Sequence, residues 1–200
     1  MTPDLILASA SPRRRELLER IGLTLEVVPS DVDETVVPDE TPAVHVERLS
    51  RAKASEVAGR TDLEGRFVLG SDTVVVIDNE ILGKPEDDDD AMKMLQRLQG
   101  RQHEVWSGFA VIDRQTGRIE SGAVVTEVTF RHLTRGEIAG YIATGEPDDK
   151  AGSYGIQGIG AALVEKIDGS YTSVVGLPLC AVIKALEDLG VPTPFRPTGP

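Results

Sequence analysis

Three short apolar runs of strand character each break into a compact polar cluster. Residues 5–8 run into Ser9-Ala10-Ser11-Pro12-Arg13-Arg14-Arg15, residues 67–69 into Gly70-Ser71-Asp72-Thr73, and residues 81–82 into Gly83-Lys84-Pro85. Apolar runs of that length read as buried strands, and segments of helical period lie between them. The alternation restricts the chain to α/β architectures, whose ligand sites lie beyond strand ends. The clusters put cations and one carboxylate at such ends, on a chain whose formal net charge is −12. A concentrated basic loop on that acidic background needs a reason.

The rest of the chain fills in the pattern. Leu17, Leu18 and Ile21 recur at helical spacing until Gly22, and residues 25–28 form a second short strand. Residues 29–41 are polar and rich in carboxylates, a loop displaying Asp31, Asp33 and Glu34. Pro42 opens a long helix to about Ala58, with Val46, Leu49 and Ala52 on one face and Lys53 at its edge. Residues 67–77 form a nearly continuous strand, turned by Asp78-Asn79-Glu80 into residues 81–83. Residues 87–99 are helical, and residues 103–113 and 118–130 are long strands joined at Gln115-Thr116-Gly117. Thr134 and Glu137 form a capping box, residues 145–160 a glycine-rich loop, 161–167 a strand and 179–189 the closing helix. Hairpins among the crossovers predict a mixed rather than a purely parallel sheet. Residues 1–190 read as a single bilobed domain, and 191–200, with four prolines, as a frayed tail.

The 200 residues suffice for one sizeable core, at 40% hydrophobic and 27% charged content. The acidity argues against nucleic-acid polymers, whose affinity comes from spread-out Lys and Arg neutralising phosphates. A small anion in one local pocket is compatible with it. Cys180 has no partner for an intrachain disulfide and reads as a core thiol, and no zinc spacing occurs. No basic leader and no apolar run of about 18 residues appear, so a cytoplasmic protein without a membrane span is expected.

Each candidate residue has a functional and a structural reading. The arginine cluster runs into a helix N-terminus, which favours anions, and Ser9 and Ser11 add hydroxyl donors; equally, Ser-Pro is an ordinary helix start with solvated arginines. Asp72, between small residues at a strand end, suits a metal ligand or general base, or simply caps the strand. Glu34, with Asp31 and Asp33, offers oxygen ligands for a hard divalent ion or is a solvated loop acid. Lys84 is aimed by its stiff neighbours Gly83 and Pro85, whereas Lys53 resembles any exposed helix lysine. Asp87-Asp88-Asp89-Asp90 reads as a helix start complementing the dipole, not a metal site. In the loop 152–158, Gln157 offers an amide that can pair with a base edge, and the glycines offer N–H groups. No G-x-S-x-G occurs and His45, His103 and His132 suggest no relay, so covalent catalysis is disfavoured.

Taken together and in order, LILASASPRRRELL, SDVDE, RLSRAKA, VLGSDTVV, ILGKP, VTFRHL, YIATGEPDDKAGSYGIQG and DGSYTSVVGLPL resemble the Maf family of nucleoside triphosphate pyrophosphatases, from residue 5 to about 189. The resemblance implies a fold like that of the Maf and inosine triphosphate pyrophosphatases: an elongated mixed α/β sheet flanked by helices, with two lobes around a central groove. It implies Asp72 as the catalytic carboxylate, Ser9, Arg14, Lys53 and Lys84 on the triphosphate, and Glu34 with Asp72 on a divalent cation of Mg²⁺ or Mn²⁺ type. Arg13, Thr73 and Gln157 match the subgroup assigned to dTTP and UTP, whereas the 7-methyl-GTP subgroup carries Trp, Gln and Glu there. The implied activity is hydrolysis of dTTP, UTP and modified pyrimidine nucleotides to monophosphate and pyrophosphate. The implied setting is a cytoplasmic homodimer that cleans the nucleotide pool, with a link to arrest of cell division. A purine-directed pyrophosphatase of the inosine or xanthosine triphosphate type, and a non-catalytic nucleotide-binding regulator of septation, are the alternatives.

Overall fold

In the computed structural model, which describes residues 3–196, the strands are β1 (Leu5–Leu7), β2 (Leu25–Val27), β3 (Phe67–Ile77), β4 (Glu80–Leu82), β5 (Gln102–Asp113), β6 (Ile119–Phe130) and β7 (Val164–Asp168). The helices are α1 (Pro12–Arg20), α2 (Pro42–Ala58), α3 (Asp88–Leu98), α4 (Arg135–Ile142), α5 (Tyr171–Val175) and α6 (Leu179–Asp188). Hydrogen-bonded neighbours follow the order β2-β1-β3-β5-β6-β7, with β4 added to β3. β1 pairs in parallel with β2 and β3, while β3–β4 and β6–β7 are antiparallel. The seven-stranded sheet is therefore mixed, as the hairpins foretold.

The chain divides into two compact units. Among the described residues, the first comprises 3–72, 107–124 and 176–196, and the second 73–106 and 125–175. In the first, Ile6, Ala8, Ala54, Val57, Val68, Ala110 and Ile112 form an apolar cluster joining β1, β3 and β5 to α2. In the second, Val75, Leu95, Leu98, Phe130, Ile138 and Tyr141 belong to a larger cluster that joins the sheet to α3 and α4. These faces explain the elements: apolar side chains at helical spacing have a sheet to lie against.

Local signals end most elements. Ser11 and Thr41 cap α1 and α2, each with proline in the first turn, and Thr134 and Glu137 form the capping box of α4. Asp87 caps α3 by accepting from Asp90 N–H, so the tetra-aspartate begins a helix. Asp78 and Asn79, at φ of 54° and 62°, make the two-residue turn between β3 and β4.

Three expectations need correction. Residues 159–163 form a 3₁₀ segment, so β7 begins at Val164 rather than 161. Cys180 is exposed, because α6 buries Val182, Ala185 and Leu186, and position 180 falls on the other side of that face. The stretch 191–196 does not fray: Val191 is buried and Thr193 donates to Glu187 at 2.7 Å. The rest of the proline-rich segment lies outside the described residues.

Candidate active site

Lys53 reaches Asp72 because α2 lies unusually close to the sheet. A methyl group on Gly70 would collide with the Ser50 carbonyl and stand 2.6 Å from Ala54 N; one on Gly108 would collide with Val46 O. Two bare backbones thus let the helix down onto β3 and β5, and Lys53, one turn beyond Ser50, is carried inward. Its ammonium lies 2.7 Å from Asp72 Oδ1 and 2.7 Å from Glu34 Oε1. Lys53 and Asp72 are both buried, whereas the Glu34 side chain is 57% exposed. The helix-edge lysine is therefore an interior charge, the reverse of what its amphipathic surroundings suggest.

The first polar cluster serves both of its readings at once. Ser11 caps α1, and Ser9, buried at the end of β1, accepts from Ser11 N–H at 3.2 Å and from the Arg14 guanidinium at 3.0 Å. Arg14 Nε also donates to Gly176 O at 2.8 Å, and Ser71 Oγ donates to Gly108 O at 2.8 Å. Burial lowers the Arg14 pKa, opposed by the negative charge of Asp72 and, more weakly, of Glu34, with the Arg13 cation adding to the lowering. These four charges share one electrostatic neighbourhood. Arg15 instead pairs with Glu19 at 2.6 Å on the exposed side of α1.

The carboxylate-rich loop is held by a cluster that sequence reading missed. Glu40 accepts from Arg48 Nε at 2.6 Å and lies 3.0 Å from His45 Nδ1, while Arg48 donates to Thr35 O at 3.2 Å. The Arg48 hydrogen bonds, joined by His45 and opposed by burial, bring the Glu40 pKa down to about 2. Asp33 is occupied by Thr35, accepting its N–H at 2.9 Å, so Glu34 is the acid of this loop that meets Lys53. The only local signal was an acid ahead of a helix with His and Arg three apart on it.

Thr73 follows Asp72 on β3 and is half-buried. In the second unit, Lys84 is exposed, and Gly83 O accepts from Gly152 N–H at 2.9 Å, which joins the Gly-Lys-Pro stretch to the loop carrying half-buried Gln157. Within the loop 152–158, whose N–H groups were expected to face a ligand, those of Gly152 and Gly155 are spent on the protein, the latter on Tyr141 OH at 3.1 Å; just beyond it, Ile159 N and Gly160 N donate to Glu146 at 2.8 Å each.

No group of three or more His, Cys, Asp or Glu side chains that could hold a metal occurs among the described residues. Asp72 and Glu34 nevertheless converge on one cation, the Lys53 ammonium. Magnesium is commonly bound through one or two carboxylates plus substrate phosphates, so this pair fits such an ion. Asp72 lies in the middle of β3 rather than at a strand end, because the strand runs on through residues 73–77, and buried Lys53 with half-buried Arg14 near that carboxylate makes a place for a polyanion with an acid or base at hand.

A family model described as Maf-like protein matches residues 4–189. A protein of Syntrophotalea carbinolica named dTTP/UTP pyrophosphatase is 59% identical over 186 residues, covering 93% of this chain and 84% of that one. Proteins of the same name from Geotalea uraniireducens and Geobacter sulfurreducens are 54% and 52% identical, each covering over nine-tenths of both chains. No helix among the described residues is long and apolar enough to cross a membrane.

Proposed function

This chain belongs to the Maf family, and from that membership we propose that it is a nucleoside triphosphate pyrophosphatase acting on dTTP and UTP. It hydrolyses the bond between the α- and β-phosphates, releasing nucleoside monophosphate and pyrophosphate. The observation that carries the reading is the buried Lys53–Asp72 pair, within the electrostatic reach of Arg14. A triphosphate bears close to four negative charges and the protein a net −12, so binding needs concentrated local cations.

Ser9, Arg14 and Lys53 bind the triphosphate, and the family motif adds Lys84 to that task. Asp72, held through Oδ1 by Lys53, orients the attacking water and takes its proton at the other carboxylate oxygen. Asp72 and Glu34 would hold a divalent ion of Mg²⁺ or Mn²⁺ type, which when bound supplies positive charge against the phosphates and makes water more acidic. Lys53 and Arg14 oppose the negative charge that builds on the leaving pyrophosphate, each a preorganised donor typically worth about 10²–10³ in rate. Arg13, Thr73 and Gln157 choose the base, again from the family motif. Gln157 offers both an acceptor and a donor to a pyrimidine edge.

The purine-directed and non-catalytic alternatives are not favoured: the relatives carry the dTTP/UTP pyrophosphatase name, and a mere binder of anions gains nothing from acids beside the phosphates. A homodimer that cleans the cytoplasmic pool of modified pyrimidine nucleotides, with a link to division arrest, completes the reading. Its support is the family resemblance, and light scattering on the purified protein tests the dimer. The activity is tested by kcat/KM for pyrophosphate release from UTP, dTTP, CTP, GTP and ITP. UTP and dTTP are expected to lead, and equal rates on GTP and UTP would remove the pyrimidine assignment.

A further inference from the structure

Two anchors in the second unit bracket the stretch that carries Gln157. Upstream, Tyr154 is buried, its hydroxyl 2.8 Å from His103 Nε2 and its ring edge-on to Phe130 at 4.6 Å. At the downstream end, residues 159 and 160 are held by Glu146, which gathers three donors: its Oε1 accepts from Tyr141 OH at 2.9 Å and Gly160 N–H at 2.8 Å, and its Oε2 from Ile159 N–H at 2.8 Å. The Tyr141 hydroxyl in turn accepts from Gly155 N–H at 3.1 Å, so one carboxylate and one phenol hold both ends of the turn 155–160. Gly158, at φ 75°, lies so close that a methyl there would stand 2.5 Å from Glu146 Oε2. The backbone and the acid are shaped to each other.

We propose that Glu146 is a positioning residue for base selection: as the acceptor hub of the turn 155–160, it fixes the backbone that aims the Gln157 amide. This rests on the assignment of Gln157 to the base given above. The hub needs a charged acceptor. Burial would raise the Glu146 pKa, but the N–H groups of Gly160 and Ile159 and the Tyr141 hydroxyl outweigh it and hold the group below its ordinary value. Both oxygens accept in this geometry, so Glu146→Gln, equal in size, turns one acceptor into a donor and leaves at least one backbone N–H unpaired.

The test is steady-state kinetics of the full-length protein and of Glu146→Gln, Tyr141→Phe, Gln157→Ala and the Glu146→Gln/Gln157→Ala double variant, on UTP and GTP. Glu146→Gln is expected to lower the UTP-to-GTP ratio of kcat/KM by about tenfold, a typical effect of losing one well-aimed hydrogen bond, chiefly through a raised KM for UTP. Tyr141→Phe moves the ratio in the same direction, and the double variant adds nothing to Gln157→Ala. A general loosening of the fold would lower both substrates alike and leave the ratio in place. An unchanged ratio in Glu146→Gln alongside a lowered one in Gln157→Ala overturns the positioning role alone. An unchanged ratio in Gln157→Ala discards the base assignment, and the positioning role with it. If Glu146→Gln does not fold, Tyr141→Phe decides by the same ratio.

Discussion

Replacing Lys53 by methionine keeps its length and removes the ammonium that joins Asp72 to Glu34. The two contacts are equal in distance, 2.7 Å, yet should differ in energy, since Asp72 is 9% exposed and Glu34 57%. Removing one partner of a buried pair leaves an uncompensated charge and costs about 3–5 kcal/mol. The exposed pair contributes about 0–1 kcal/mol. Against a total stability of about 5–15 kcal/mol, Lys53→Met alone should shift the urea midpoint strongly. Double-mutant cycles separate the two contacts: Lys53→Met with Asp72→Asn should show coupling on the order of 2 kcal/mol, and Lys53→Met with Glu34→Gln well under 1 kcal/mol. The assay is urea unfolding without nucleotide or divalent ion, which would otherwise stabilise the folded state by mass action. Coupling to Asp72 no larger than coupling to Glu34 would refute the claim that burial sets the strength of this pair.

Gly70→Ala should destabilise the protein by about 1–3 kcal/mol, because the new methyl meets the Ser50 carbonyl and displaces α2. Gly83→Ala, with nothing within 4 Å of the added carbon, is the stability control in the same denaturation series. Burial lowers the His103 pKa from 6.5 to about 4, so the unfolded chain takes up a proton at a pH where the folded chain does not. Stability is then fully present above about pH 6.5 and falls by on the order of 3 kcal/mol as the pH drops toward 4. Thermal melts between pH 6.5 and 5 should follow that slope, and His103→Asn should flatten it. Glu40, with its pKa brought down to about 2 chiefly by Arg48, adds its loss only below about pH 4.5.

Much of the fold was legible because local chemistry agreed with tertiary need. The Thr41-Pro42 start of α2, the Asp78-Asn79 turn and the Thr134/Glu137 box each carry their own stop or start signal. What stayed hidden depends on partners remote in sequence. Helical periodicity put Lys53 at the edge of a face, but its burial follows from glycines at 70 and 108, whose missing side chains are silent in a hydropathy pattern. Arg14 is fixed by a carbonyl 162 residues away. Cys180 looked apolar in a run of apolar residues, yet the face is set by Val182, Ala185 and Leu186. Glu146, lost among the other acids near the glycine loop, becomes distinct only once the N–H groups of residues 159 and 160 are seen to end on it.

The most direct measurement is ³¹P NMR of UTP incubated with the purified protein and Mg²⁺, beside the Asp72→Asn variant shown by its melting curve to be fully folded at the assay temperature. Equal amounts of UMP and pyrophosphate from the native enzyme, and turnover lower by about 10³ or more in the variant, are expected if this carboxylate serves as the base. UDP with inorganic phosphate as products, or undiminished turnover in Asp72→Asn, would contradict it.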